Sequence, residues 1–159
     1  MQGTRPCLVF SDRGEEAIKL YTSVIPNSRV LSMQRSDGKG PIPAGALANA
    51  TFVLGGLEYV AFDGGPHFSF SEAFSLMVTC DTQEEIDEVW ARLIEGGGEE
   101  SQCGWLKDRF GVSWQVIPAS LGKMLTDSAS GNSAKATEAM LQMRKLDVAA
   151  LERAYGSAS

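Results

Sequence analysis

Two stretches of this chain begin alike, 69 residues apart. Glu15 aligns with Glu84, Glu16 with Glu85 and Tyr21 with Trp90, while Phe10 falls opposite Thr79. Each stretch reads as a strand, a helix and three further strands. An internal repeat restricts the fold more than any single motif does, because each copy must bury its apolar face and the other copy offers a matching one. The expectation is an α+β chain of two βαβββ modules whose curved sheets share a cleft. The first module spans about 5–65, the second about 73–118, and a helical extension runs over 119–159, all within one domain of ordinary size.

In the first module, residues 7–11 (CLVFS) read as a strand and Glu15–Val24 as a helix with Ala17, Ile18, Tyr21 and Val24 on its apolar stripe. Arg29–Arg35 reads as a strand, and the Gly- and Pro-rich residues 36–45 as a loop. Ala48–Leu54 and Leu57–Asp63 flank Gly55-Gly56, a strong hairpin signal. In the second module, Phe74–Cys80 reads as a strand. Thr82 caps a helix from Gln83 to about Glu95, with Glu85 completing a capping box, and Gly96-Gly97-Gly98 stops it. Glu99–Gln102 starts another strand. Residues 112–117 alternate, with Val112, Trp114 and Val116 on a core face and Ser113, Gln115 and Ile117 on a milder one. Beyond Pro118 come a short helix within 119–127, a linker at 128–133 and one long helix over Ala134–Tyr155.

Charge and cysteine usage exclude several classes. The net charge is −6 and no basic run occurs, which argues against nucleic acid and anionic membranes. The three cysteines, Cys7, Cys80 and Cys103, are widely spaced, which fits a reducing compartment better than a disulfide framework. No apolar run approaches the roughly 20 residues of a membrane span, and the expected location is cytoplasmic.

Candidate chemical groups are sparse. Glu15 and Glu16 are adjacent on a helix and point about 100° apart, so a structural role is expected. His67, the only histidine, lies in a connector and reads as solvated. Gly55-Gly56 is not a phosphate loop, because no helix follows it.

The runs EEAIKLYTSVIPNSRV, FDGGPHFSFSEAFSLMVTCDTQEEID and GGGEESQCGWLKDRFGVSWQVIP resemble the PhnB-like group, as does the tail KATEAMLQMRKLDVAALERAY. That group is often labelled demethylubiquinone methyltransferase-like, and it belongs to the glyoxalase and bleomycin-resistance, or vicinal oxygen chelate, superfamily. The resemblance implies paired βαβββ modules, a cleft between curved sheets and commonly a homodimer. Superfamily enzymes hold a divalent metal through His, Gln and Glu on the cleft face. The matching positions here are Pro6 or Cys7, Asp63, Ser75 and Gln115, too few strong donors to offset desolvation of the ion. No tightly bound metal and no cofactor are therefore expected. S-adenosylmethionine is not expected either, since its doubly wound hosts carry a Gly-rich strand-to-helix turn that this chain lacks.

Three functions follow as expectations. The first is a small-molecule binder, with Asp63 and Gln115 orienting the ligand and Trp105, Phe52 and Tyr59 as apolar walls. The second is a metal-dependent glyoxalase- or dioxygenase-type enzyme, with Asp63 as base or Cys103 as nucleophile. The third is an interaction dimer organised by the C-terminal helix.

Overall fold

In unit one, β1 (Cys7–Phe10) leads through a tight turn into α1 (Gly14–Val24), followed by β2 (Arg29–Arg35), β3 (Leu47–Leu54) and β4 (Leu57–Asp63). The computed structural model describes residues 3–127 and 132–156, and these fall into two compact units divided between Ser71 and Glu72. The first sheet has the order β1-β4-β3-β2, with β1 parallel to β4 and the other pairs antiparallel. Gly55 and Gly56 close the β3–β4 hairpin at φ of 58° and 88°, the left-handed pair that a two-residue turn needs. One face of the sheet, carrying Leu8, Phe10, Ala50, Phe52, Tyr59 and Ala61, is buried together with Ala17, Ile18 and Tyr21 of α1. Gly14 opens the helix because a Cβ there would lie 2.7 Å from Asp63 Oδ1 and 2.9 Å from the Phe10 ring. β2 is exposed along nearly its whole length, Val30 and Leu31 included, and its register against β3 shifts twice.

Unit two repeats the plan. β5 (Ser75–Cys80), α2 (Gln83–Ile94), β6 (Glu99–Glu100), β7 (Trp105–Lys107) and β8 (Ser113–Pro118) give a sheet of order β5-β8-β7-β6, with β5 parallel to β8. Gly14 and Gln83 start the two helices at the 69-residue offset read from the sequence. Thr82 accepts the Glu85 N–H at 3.2 Å, and the Glu85 carboxylate accepts the N–H of Asp81, so the capping box closes one residue early. Leu76, Leu106, Trp114 and Val116 form the face buried with Ile86, Val89, Trp90 and Leu93 of α2. Trp90 Nε1 donates to Glu100 on that same side at 2.8 Å.

The tail departs from expectation. The single helix over Ala134–Tyr155 is two helices, α4 (Ser133–Leu141) and α5 (Val148–Gly156), after a short α3 (Leu121–Thr126). The break is made by competing partners. The carbonyls of Met143 and Arg144 accept the N–H groups of Cys103 and Gly104, at 2.8 and 2.7 Å, instead of continuing a helical ladder. Asp147 then restarts the helix, its carboxylate accepting the Ala150 N–H at 2.8 Å. Leu121, Met124, Ala136, Leu146 and Leu151 form a small core of their own. The linker expected at 128–133 lies largely outside the described residues.

Candidate functional site

The residues singled out from the sequence divide between the two sides of their sheets. In unit one, Tyr59, Ala61 and Asp63 do share a face, but it is the face under α1. Asp63 is buried, and its two oxygens accept the N–H groups of Gly14 and Leu47 at 2.9 and 2.8 Å. It ties the start of the helix to the start of β3, so both oxygens are already committed to the backbone. Phe52 and Tyr59, expected as ligand walls, are instead core residues, stacked at 5.4 Å between ring centroids. The opposite face carries Val60 beside Cys7 and Thr51, and Phe62 beside Val9.

In unit two, two expected residues come together. Trp105 lies directly across from Gln115, which lies across from Met77 of β5. This row is on the side of the sheet away from α2. Gln115 Nε2 donates to Ser75 Oγ at 2.9 Å, reaching diagonally to the next row. Its carbonyl oxygen has no hydrogen bond among the described residues, and neither does the Trp105 indole N–H. Met77 is 58% exposed in the middle of a strand. Beside this row Lys107 pairs with Glu72 at 2.7 Å, which raises the lysine and lowers the carboxyl from their usual values. A small pocket of about 170 Å³ runs along Trp105, Lys107, Ser113 and Glu72. Met77, Glu72 and Lys107 had no distinguishing signal in the sequence. An exposed methionine becomes informative only once its neighbours across the strands are known.

Cys103 sits in the turn before β7 in a left-handed conformation, φ 59°, with its N–H held by Met143. No base is hydrogen-bonded to its thiol among the described residues. Glu15 and Glu16 serve the surface of α1: Glu15 binds Lys19 and, through two hydrogen bonds, Arg35, while Glu16 binds Arg13. His67 is exposed. Asp108, which the sequence did not mark, is a buried brace. It accepts the N–H groups of Phe110 and Val112 at 2.8 and 3.0 Å and the Trp114 indole N–H at 2.9 Å. Its signal was the D-x-x-G turn before the final strand.

The divalent metal that the resemblance implies does not fit these side chains. Asp63 points under α1 with both oxygens occupied, and Ser75 and Gln115 bring a hydroxyl and an amide, weak donors for a divalent ion. Among the described residues no three His, Cys, Asp or Glu side chains converge as a metal needs. A methyl-donor nucleotide fits no better. One amide at the start of each helix, that of Gly14 in α1 and of Glu85 in α2, is taken by Asp63 and Thr82, and neither helix follows a Gly-rich strand-to-helix turn of the kind that receives a nucleotide.

The sequence matches the family described as 3-demethylubiquinone-9 3-methyltransferase over residues 2–117. A solved structure from Bacillus cereus, named PhnB protein and carrying the same description, is 38% identical. It is matched over 74% of this chain and 100% of its own length, with a TM-score of 0.69. A Pseudomonas aeruginosa protein is 24% identical over 74% of this chain and 98% of its own, TM-score 0.61. The fosfomycin resistance protein FosX from Listeria monocytogenes, solved with manganese(II) and sulfate, is 17% identical over 73% of this chain and 91% of its own, TM-score 0.51. No curated protein matches the sequence.

Proposed function

We propose, from the premise that this chain belongs to the PhnB-like 3-demethylubiquinone-9 3-methyltransferase family of the glyoxalase and bleomycin-resistance superfamily, that it binds a small organic molecule rather than transferring a methyl group. The ligand lies on the open face of the second sheet, without a strongly bound metal. The observation that carries this reading is the row Trp105–Gln115–Met77. It offers one uncommitted donor, the indole N–H, one uncommitted acceptor, the amide carbonyl, and an exposed thioether on the edge strand β5. A few polar groups held in place beside an indole ring are what fix the orientation of a small ligand. An indole that is half-buried with no partner is supplied with one when a ligand brings an acceptor. The ligand class that suits the row is a flat molecule with an acceptor and a donor on one edge, such as a carbonyl beside an N–H or O–H.

Native mass spectrometry of protein purified without added ligand tests this. A bound organic mass is expected, released on denaturation and lost from a Trp105→Ala, Gln115→Ala double variant that keeps the wild-type circular dichroism. A bound mass that survives both substitutions would put the ligand elsewhere. A bare wild-type protein that takes up no member of a carbonyl–amide fragment set would remove the reading.

A further inference from the structure

The first unit contains a pocket of about 450 Å³, none of whose lining residues belongs to the second unit. Its walls are Pro41, Ile42 and Pro43 from the β2–β3 loop and Phe62, Pro66 and Phe68 from β4 and the segment after it. Both loops are fixed by their own backbone bonds. Ser36 donates its N–H to Ala46 at 2.9 Å and its hydroxyl to the Ile42 carbonyl at 2.7 Å, and Gly45 returns its N–H to Ser36 at 2.9 Å. Across from it Gly64 and Gly65 donate to Phe10 and Ser11 at 2.7 and 3.1 Å, and the Ser11 hydroxyl donates to the Phe68 carbonyl at 3.0 Å. Gly64 admits the Phe68 ring, since a Cβ there would lie 2.7 Å from it. Phe70 anchors the same segment edge-on against Phe10, with centroids 5.2 Å apart. Three prolines and these bonds leave little freedom to be lost when a guest enters.

The polar lining is short and unequal. Ser11 and Asp63 already serve the chain's own groups. Asp12 is exposed and makes no hydrogen bond or salt bridge with any described residue, though its charge is felt by the Arg13 guanidinium beside it. The neighbouring Arg13 is held by Glu16 through two hydrogen bonds. An apolar hollow beside a carboxylate that no side chain bridges, its cationic neighbour being held by Glu16, discriminates by charge: an anion would meet Asp12 in a chain whose net charge is already −6, while a cation would be drawn in.

We infer that this pocket binds a compact apolar ring bearing an ammonium group, the ring against Phe62, Phe68 and the prolines and the ammonium at Asp12. The size suits a small ligand. This site goes beyond the row on the second sheet and does not depend on it.

Titration of the full chain by nuclear magnetic resonance with 2-phenylethylamine, 2-phenylethanol and 3-phenylpropionate provides the test. The amine is expected to shift the Ile42 and Ala46 methyl signals and to bind about fivefold tighter than the alcohol, the gain of one exposed ion pair. The carboxylate is expected to bind more weakly than either. Asp12→Asn brings the amine to the level of the alcohol and leaves the alcohol unchanged. Ile42→Trp fills the hollow and removes both. Should that variant not fold, Phe68→Ala, which opens a wall, weakens all three probes together. The inference is overturned if no probe moves those methyl signals, if the carboxylate binds as tightly as the amine, or if the preference for the amine survives Asp12→Asn.

Discussion

Asp63 and Asp108 are buried carboxylates that work on backbone rather than on a ligand. Each satisfies two main-chain N–H groups, and Asp108 takes the Trp114 indole as well. Removing such a group leaves buried donors without this partner, so Asp108→Ala is expected to cost about 3 kcal/mol of unfolding free energy by urea titration. Asp108→Asn, which keeps an acceptor oxygen, should cost clearly less. The cysteines separate by environment. Burial, with Glu85 and Asp81 nearby, pushes the Cys80 thiol up to about 11. At pH 8 a disulfide reagent is therefore expected to label the exposed Cys7 and the half-buried Cys103 first, and Cys80 only as the chain unfolds.

Elements hold to one another through a few polar latches. Gln83 donates to the Leu146 carbonyl at 3.1 Å and accepts the Val148 N–H at 2.8 Å, so one amide on α2 holds the start of α5. Gln83→Ala should speed hydrogen exchange at Val148 roughly tenfold while leaving the β8 amides unchanged, the effect of losing bonds worth about 1–2 kcal/mol. On α1, hydrogen bonds from Arg35 and then Lys19 bring the Glu15 carboxyl down from 4.5 to about 2. A carboxyl lowered by folding stabilises the folded state above its unfolded value and loses that contribution as pH falls toward its folded one. The melting difference between the natural chain and Glu15→Gln is thus expected to be full at pH 7 and to shrink from about pH 4.5 downward, with at most about 1 kcal/mol at stake because both partners, Arg35 and Lys19, are exposed. The repeat, both helix starts and the hairpin were legible in the sequence because each has local chemistry: a cap, a Gly pair, a period. The side on which Asp63 faces was not. Tyr59 and Ala61 alternate with Val60 and Phe62, so both faces of β4 are apolar and the alternation is silent about which one the helix covers. The single long tail helix was misread for a similar reason. Its apolar spacing runs on through 142–147, while the partners that divert those carbonyls, Cys103 and Gly104, lie about forty residues earlier.

At the scale of the molecule, the family description names a methyltransferase, while the chain has no Gly-rich strand-to-helix turn and uses one amide at each helix start for its own side chains. S-adenosylmethionine is accordingly expected to leave the melting temperature unchanged, and a concentration-dependent rise would contradict this. Calorimetric titration with zinc, nickel and manganese is expected to show no stoichiometric sub-micromolar site, because an amide, a hydroxyl and a committed carboxylate do not replace an ion's hydration.

The outermost strand of the first sheet, Arg29–Arg35, carries a further lesson in restraint. It bares Val30 and Leu31 yet slips out of step with its neighbour between Val30 and Ser32 and again between Gln34 and Arg35, and arginines stand at both its ends. A foreign chain trying to zip on would find the donors and acceptors out of phase near Val30 and Ser32 and a charged arginine at the strand's start. The extra residue in this strand between Val30 and Ser32 interrupts the even spacing that an added strand would need.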